Sequence, residues 1–198
     1  IQLNRTHVPA YPNDNGEIEI PFLDGEFPVE IQAPGRKGTK LQAKSGSELA
    51  NVELSDASVV KFNVTDENGR PIPNKVQFHG LDGTPNPNLG PTIRAHGCID
   101  QWHSERGDFE VKLPAGKYRV VITRGPEYSH HSAEISLDQG ETVAIDAKLT
   151  HMIDTTGWVS ADFHNHSTPS GDNVCGIDDR VINMAVEHLE FVPTTEHN

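Results

Sequence analysis

Turn signals interrupt the first three quarters of this chain so often that long helices have no room there. Asn15-Gly16, Asp24-Gly25, Pro34-Gly35, Asn68-Gly69, Asp82-Gly83, Pro114-Ala115-Gly116 and Gln139-Gly140 each favour a reversal of the backbone. Glycine reaches positive φ without a steric penalty, and proline presets the first turn residue. Between these points lie short runs with period-two alternation, the signature of half-buried strands. They cover residues 59–64, 75–79, 108–113, 117–123, 133–137 and 142–149. In 117–123, Tyr118, Val120 and Ile122 share one face, and Arg119, Val121 and Thr123 share the other. Regularly spaced short strands of this kind predict an antiparallel β-sandwich over residues 55–150. Its core is expected to contain Phe62, Val76, Phe109, Val111, Tyr118, Val120 and Ile122. Residues 1–54 are also strand-and-turn in character, either extra strands of the same sandwich or part of a preceding one.

Charge narrows the class of partner. The 198 residues carry 16 Lys+Arg against 29 Asp+Glu, a formal net charge of −13. So acidic a chain without a basic cluster is a poor fit to nucleic acid or to an anionic membrane surface. No apolar run reaches the roughly 18 residues of a spanning helix. Cys98 and Cys175 are too few for a disulfide framework and too far apart for a zinc knuckle. The chain opens on Ile1 without a methionine and stops at Asn198 directly after an apolar stretch. We therefore expect a piece of a longer protein, and the sandwich architecture suggests a place outside the cytoplasm.

From residue 158 the pattern changes. Residues 158–163 read as a strand, and Asp178 reads as the N-cap of a helix from 179 to about 189. Val181, Met184, Ala185 and Leu189 fall on one face of that helix. Residues 190–195 read as a second strand. Strand, helix and strand over about forty residues make a βαβ unit, whose strands should be parallel and whose crossover should be right-handed. One such unit cannot close a core by itself, so residues 151–198 are expected to open a larger, truncated α/β domain.

Chemistry concentrates in this last segment. His164 and His166 sit just past the carboxyl end of the first strand, and residues i and i+2 of an extended chain point the same way. Asp172 adds an oxygen donor after a Gly-containing loop, and His197 lies at the carboxyl end of the second strand. Ligand crevices of α/β folds lie beyond the carboxyl ends of their strands, which would bring His164, His166, Asp172 and His197 together. Mixed imidazole and carboxylate donors suit zinc, manganese or iron better than calcium. Asp162 either orients a histidine or ends the strand. Glu196 is expected to support a ligand rather than to bind an ion itself. Asn165-His166-Ser167 matches a glycosylation sequon, but a glycan there would block the site, so the match is read as accidental. His79, His96, His103, His130, His131 and His151 are read as surface or loop residues. The dense cluster 124–128 (Arg-Gly-Pro-Glu-Tyr) is either a sandwich turn or a contact to the barrel mouth.

Two resemblances join these readings. Gly69-Arg70-Pro71-Ile72-Pro73 and Leu113-Pro114-Ala115-Gly116-Lys117-Tyr118 resemble motifs of the carboxypeptidase-regulatory-like or transthyretin-like sandwich. The run from Asp162 to Asp172, Asp-Phe-His-Asn-His-Ser-Thr-Pro-Ser-Gly-Asp, is followed by a helix and by Leu-Glu-Phe-Val-Pro-Thr-Thr-Glu-His-Asn. This resembles the start of a PHP (polymerase and histidinol phosphatase) domain, most closely the CehA/McbA-type branch, which carries a β-sandwich ahead of its barrel. The resemblance covers residues 158–198 and departs at Glu196, where the family more often has Asp. It implies the opening of a distorted (β/α)₇ barrel that holds two or three divalent metal ions and hydrolyses phosphoesters. Some members of the branch act on carboxylic or carbamate esters or amides instead. By position, His164 and His166 match the first ligand pair, Asp172 the third ligand and His197 the ligand of the second motif. A bridging Glu, two further His and an Asp-x-His would come from strands beyond Asn198, so the chain by itself is expected to be inactive. The partners implied are a small-molecule ester substrate and, through unpacked barrel strands, a second copy of the chain. The alternative from another class is a β-sandwich interaction or adhesion module without catalytic activity.

Overall fold

The computed structural model describes residues 2–3, 6–7, 10–19, 25–44, 46 and 51–197. Asp24 of the Asp24-Gly25 turn, Asn198 and parts of the 1–54 segment lie outside these. The fold is mainly β, with eleven strands and one short helix among the described residues.

The amino-terminal segment forms two small antiparallel pairs. Strand β1 (Gln2–Leu3) pairs with β2 (Thr6–His7), and β3 (Glu26–Ile31) pairs with β4 (Thr39–Lys44). Neither pair joins the larger sheets. The β3–β4 turn nonetheless docks on them. Arg36 donates to the Ser55 carbonyl at 2.6 Å, and Gly35 (φ +70°) lies so close to Lys112 that a β-carbon would stand 2.4 Å from Lys112 Cβ.

Two larger sheets follow. Strands β5 (Ser58–Thr65), β8 (Asp108–Leu113) and β11 (Thr142–Lys148) form one, in the order β11-β5-β8. Strands β6 (Asn74–Leu81), β7 (Gln101–Ser104), β9 (Gly116–Thr123) and β10 (His131–Leu137) form the other, in the order β10-β9-β6-β7. Alternation places Val60, Phe62, Val64, Val111, Leu113, Ile145 and Ala147 of the first sheet in one buried cluster with Val76, Phe78, Tyr118, Val120, Ile122, Ile135 and Leu137 of the second. The Phe62 ring stacks on Phe109 of the same sheet at 4.8 Å. It also meets Phe78 of the other sheet edge-on at 6.1 Å. Of the seven residues expected in the core, Phe109 alone is only partly buried. Buried Tyr118 keeps its hydroxyl satisfied by donating to the Pro114 carbonyl at 3.1 Å, as a buried phenol requires. The Asp66–Gly69 turn is closed by one carboxylate. Asp66 Oδ1 accepts both the Asn68 and Arg70 amides at 2.8 Å, and these bonds hold the carboxyl below its ordinary value.

The fold departs from the pattern expected of the sequence at four points. First, the sheets are not wholly antiparallel, because β11 runs parallel to β5 from Thr142↔Val59 to Lys148↔Thr65. Alternation reports which face is buried and is blind to strand direction. Second, residues 101–104, outside every run of alternation in the sequence, form β7 against β6. His103 lies on this strand, where burial and then the Lys75 ammonium push its imidazole below the ordinary value.

Third, the helix, α1, spans Ile177–Val186 with Gly176 at the N-cap and no side-chain cap. Asp178 and Asp179 stand inside its first turn, where carboxylates favour the helix dipole. Asp179 Oδ1 is engaged by the Ala95 amide at 2.7 Å. Val186 is the residue that α1 buries, whereas Val181 is 58% exposed.

Fourth, residues 158–163 and 190–195 are not ladders. They run parallel but share a single bridge, Ala161↔Phe191. Pro193 has no amide to donate, and side chains take over beyond the bridge. Asn165 Nδ2 donates to the Pro193 carbonyl at 2.6 Å, and the Thr195 hydroxyl donates to the Asn165 carbonyl at 2.6 Å. Trp158, Val159, Phe163 and Phe191 remain exposed. No helix among the described residues is long and apolar enough to cross a membrane.

Because Phe78 is fully buried between the sheets whereas Trp158 is 81% exposed, truncation should separate them. Phe78→Ala should cost about 3–5 kcal/mol, and Trp158→Ala no more than about 0.5 kcal/mol, in urea unfolding. Equal costs would contradict the location of the core.

Candidate functional site

The loop after residue 160 is built from local carboxylate and amide turns. Asp162 Oδ1 accepts the His164 amide at 3.0 Å, so Asp162 orients the backbone of a candidate ligand rather than its ring. Asn165, 7% exposed, has its side-chain amide committed to Pro193, which leaves the sequon nitrogen inaccessible. Arg180 reaches back from α1 and donates to the His166 carbonyl at 2.9 Å. The pattern of His, Asn and His is thus pinned at three successive backbone positions.

The four candidate ligands converge around the ring of His166, which divides them into two pairs. On one edge, His166 Nε2 lies 3.0 Å from His164 Nε2. On the other edge, His166 Nδ1 lies 3.6 Å from Asp172 Oδ1, and Asp172 Oδ2 lies 3.4 Å from His197 Nε2. The His166 and His197 rings are 4.6 Å apart. His166 is the inner member, with its side chain 14% exposed against 54% for Asp172 and 65% for His197.

Sequence reasoning assigned Glu196 a supporting part but did not find the two serines that it works through. Glu196 accepts the Ser167 amide at 3.0 Å on each oxygen, the Ser167 hydroxyl at 2.5 Å and the Ser170 hydroxyl at 2.5 Å. The Ser167 hydroxyl and amide, then Ser170, bring its carboxyl down to about 2. Hydrogen bonding to the charged form is the mechanism. Ser170 has one proton, and it goes to Glu196. Its oxygen must therefore accept from the His197 amide at 2.8 Å and from His166 Nδ1 at 2.9 Å. That assigns the proton of neutral His166 to Nδ1 and leaves Nε2 as a lone pair aimed toward His164. Carboxylate, hydroxyl and imidazole form a short relay that fixes one tautomer. Ser167 and Ser170 are 3% and 1% exposed. Two serines within four residues of a His-x-His were the signal available in the sequence.

A second cluster lies where the sheets meet α1. Glu127, from the dense 124–128 turn, contacts His151 and His188. The sequence places His151 on the surface or in a loop. It is half-buried instead, because the segment after β11 folds back beside Tyr128.

No family model matches the chain, and no curated protein matches it. Among solved structures, that of the Bacillus anthracis TIE protein is similar over 72% of this chain, with 18% sequence identity and a TM-score of 0.36. The chain spans 28% of the length of that structure. A likeness at this level fixes neither fold nor function.

The relay makes a prediction with a definite sign. The depressed carboxyl of Glu196 contributes stability that is fully present above its unfolded value of 4.5 and is lost as pH falls toward about 2. Ser170→Ala should raise the Glu196 pKa and release the His166 tautomer to a mixture. Carboxyl and imidazole titrations by NMR read both, and an unchanged Nδ1–H tautomer would refute the relay.

Proposed function

We propose that this chain is the amino-terminal part of a metal-dependent hydrolase of the PHP type, acting on phosphoesters. In this reading, the two large sheets are the regulatory-like sandwich that precedes the barrel. The observation that carries it is the convergence of His164, His166, Asp172 and His197 around one histidine ring, with the tautomer of that ring fixed by Ser170 and Glu196. The motif 162–172 and the segment 189–198 are the residues that resemble the family.

The donor set suits divalent ions. Imidazole nitrogens on a tetrahedral zinc with bonds of ~2.0–2.1 Å stand about 3.3 Å apart, and the two facing Nε2 atoms are 3.0 Å apart. His164 and His166 would hold an ion on one edge of the ring, and Asp172 and His197 would hold one on the other. These residues would hold divalent ions that, when bound, would supply hydroxide near neutral pH and offset charge developing on a phosphoryl oxygen. The protein's own part is positioning. Asp162 sets the His164 backbone, Arg180 the His166 backbone, and Glu196 acts through Ser170 to keep the Nε2 lone pair of His166 free. Such support costs about 10–100-fold in affinity when removed.

The test is turnover of a phosphomonoester and a phosphodiester with added manganese or zinc. It is run on the 198-residue chain and on the longest natural protein that contains it. We expect turnover in the longer protein, loss of activity by roughly 10²-fold or more on His164→Ala, and no turnover by the 198 residues, because four ligands do not complete two ions. Turnover by neither, or turnover indifferent to His164→Ala, would reject the hydrolase reading.

A further inference from the structure

Glu127, His151 and His188 come from three separate places: the turn after β9, the segment after β11 and the residue next but one to the end of α1. A single carboxylate oxygen, Glu127 Oε2, lies 3.0 Å from His151 Nε2 and 3.3 Å from His188 Nδ1. All three donor atoms fall within 4.8 Å of one another. The side chains are shielded, at 14% exposure for Glu127, 29% for His151 and 23% for His188. The Tyr128 ring packs on both imidazoles, with centroids 4.9 and 5.0 Å away.

A pair of hydrogen bonds accounts for these distances but not for the backbone that creates them. Helix α1 ends in a Schellman motif, in which the Leu189 amide donates to the Met184 carbonyl at 3.1 Å and the His188 amide to the Ala185 carbonyl at 3.2 Å. His188 therefore occupies the left-handed closing position, with φ +58°. Glycine takes this position at no steric cost, and a side chain there is disfavoured. An unfavourable residue in such a place points to a task for its side chain. The opposing turn is equally constrained. Gly125 has φ +65°, and a β-carbon on it would stand 2.2 Å from the Glu187 carbonyl oxygen. Two constrained backbone positions thus serve to bring a carboxylate and two imidazoles to one point.

We propose that Glu127, His151 and His188 form a separate binding site for a divalent cation of zinc-like preference, which staples the end of α1 to the sheets. Two imidazoles and one carboxylate supply three ligands and leave one position for water. The donor spacings of 3.0 and 3.3 Å match the roughly 3.3 Å set by tetrahedral bonds of ~2.0–2.1 Å. To bind the ion through these atoms each imidazole must present a lone pair there, so a proton carried on that nitrogen leaves it for the other ring nitrogen or for solvent. The site does not depend on the hydrolase reading and shares no ligand with the His166 cluster.

The test uses zinc and cobalt chlorides with the full 198-residue chain, His188→Gly and Glu127→Gln, each made alone and in a His164→Ala background. His188→Gly places the residue favoured at that backbone position, so it should fold. We expect it to hold one zinc fewer per chain than its parent in both backgrounds. Its affinity at this site should fall by more than the roughly 100-fold that loss of a supporting group costs. The four-coordinate visible band of cobalt assigned to this site should disappear, together with the zinc-dependent rise in thermal midpoint. Glu127→Gln should act in the same direction. Zinc content, cobalt band and midpoint shift unchanged by His188→Gly would overturn the proposal and leave a hydrogen-bonded clamp. Loss of zinc on His164→Ala alone would bear on the other cluster and leave this one standing.

Discussion

Between residues 158 and 197, Cys175 and Val186 are the buried apolar side chains. A segment that buries so little cannot organise itself through the hydrophobic effect, so its order depends on polar anchoring to the four-stranded sheet. Lys75 of β6 pairs with Glu187, and Arg124 donates to the carbonyls of Pro73 and Ala185. The Ala95 amide donates to Asp179, and Glu127 meets His188. Partly exposed contacts of this type contribute about 1 kcal/mol each. The joint is thus weaker than the sheet core, where some fourteen apolar side chains interlock between two layers. Local opening of the last forty residues should need less free energy than global unfolding.

Within that segment, neighbouring polar groups decide one another's chemistry. A carboxylate supplied with four donor contacts stays ionised across the working range of pH. Being ionised, Glu196 can only accept, so the Ser170 hydroxyl donates its hydrogen bond to it. With its one donor so used, Ser170 can only accept from the ring, which leaves the neutral His166 imidazole one tautomer. Each step follows from a donor or acceptor count rather than from a small energy difference. The two edges of His166 thereby differ. The Nδ1 edge is committed to Ser170, whereas the Nε2 edge offers a lone pair to His164 and to whatever lies beside it. An ion bound beside Asp172 and His197 would need help from donors other than His166 Nδ1.

Much of this was legible because turn chemistry and alternation are local. The pairs Asn68-Gly69 and Gln139-Gly140 and the inward run Tyr118, Val120 and Ile122 mark strands without reference to anything distant. Strand direction is not local. Residues 142–148 alternate in the same way whether they pair parallel or antiparallel with β5. Strand β7 is only four residues long and carries Trp102 and His103 in place of an aliphatic repeat. The apolar residues at 158–163 and 190–195 suggested ladders, but a ladder needs a covering layer and a free amide at Pro193, and both are missing among the described residues. His-x-His with a later Asp and His pointed to the first cluster. Nothing in spacing pointed to Glu127, His151 and His188, whose positions are fixed by a helix end and two strand ends.

Helix α1 links the two clusters physically. Near its start, Arg180 holds the carbonyl of His166, and at its end His188 meets Glu127. Ten residues of helix rise about 15 Å, and a helix of that length transmits displacement better than it absorbs it. Both contacts therefore bear on the placement of one short helix. The left-handed conformation at His188 fits this requirement, because a glycine would close the helix as well but would remove the contact to Glu127 from its far end. His188 thus adds a tie at the end of the same helix whose start holds the His166 carbonyl.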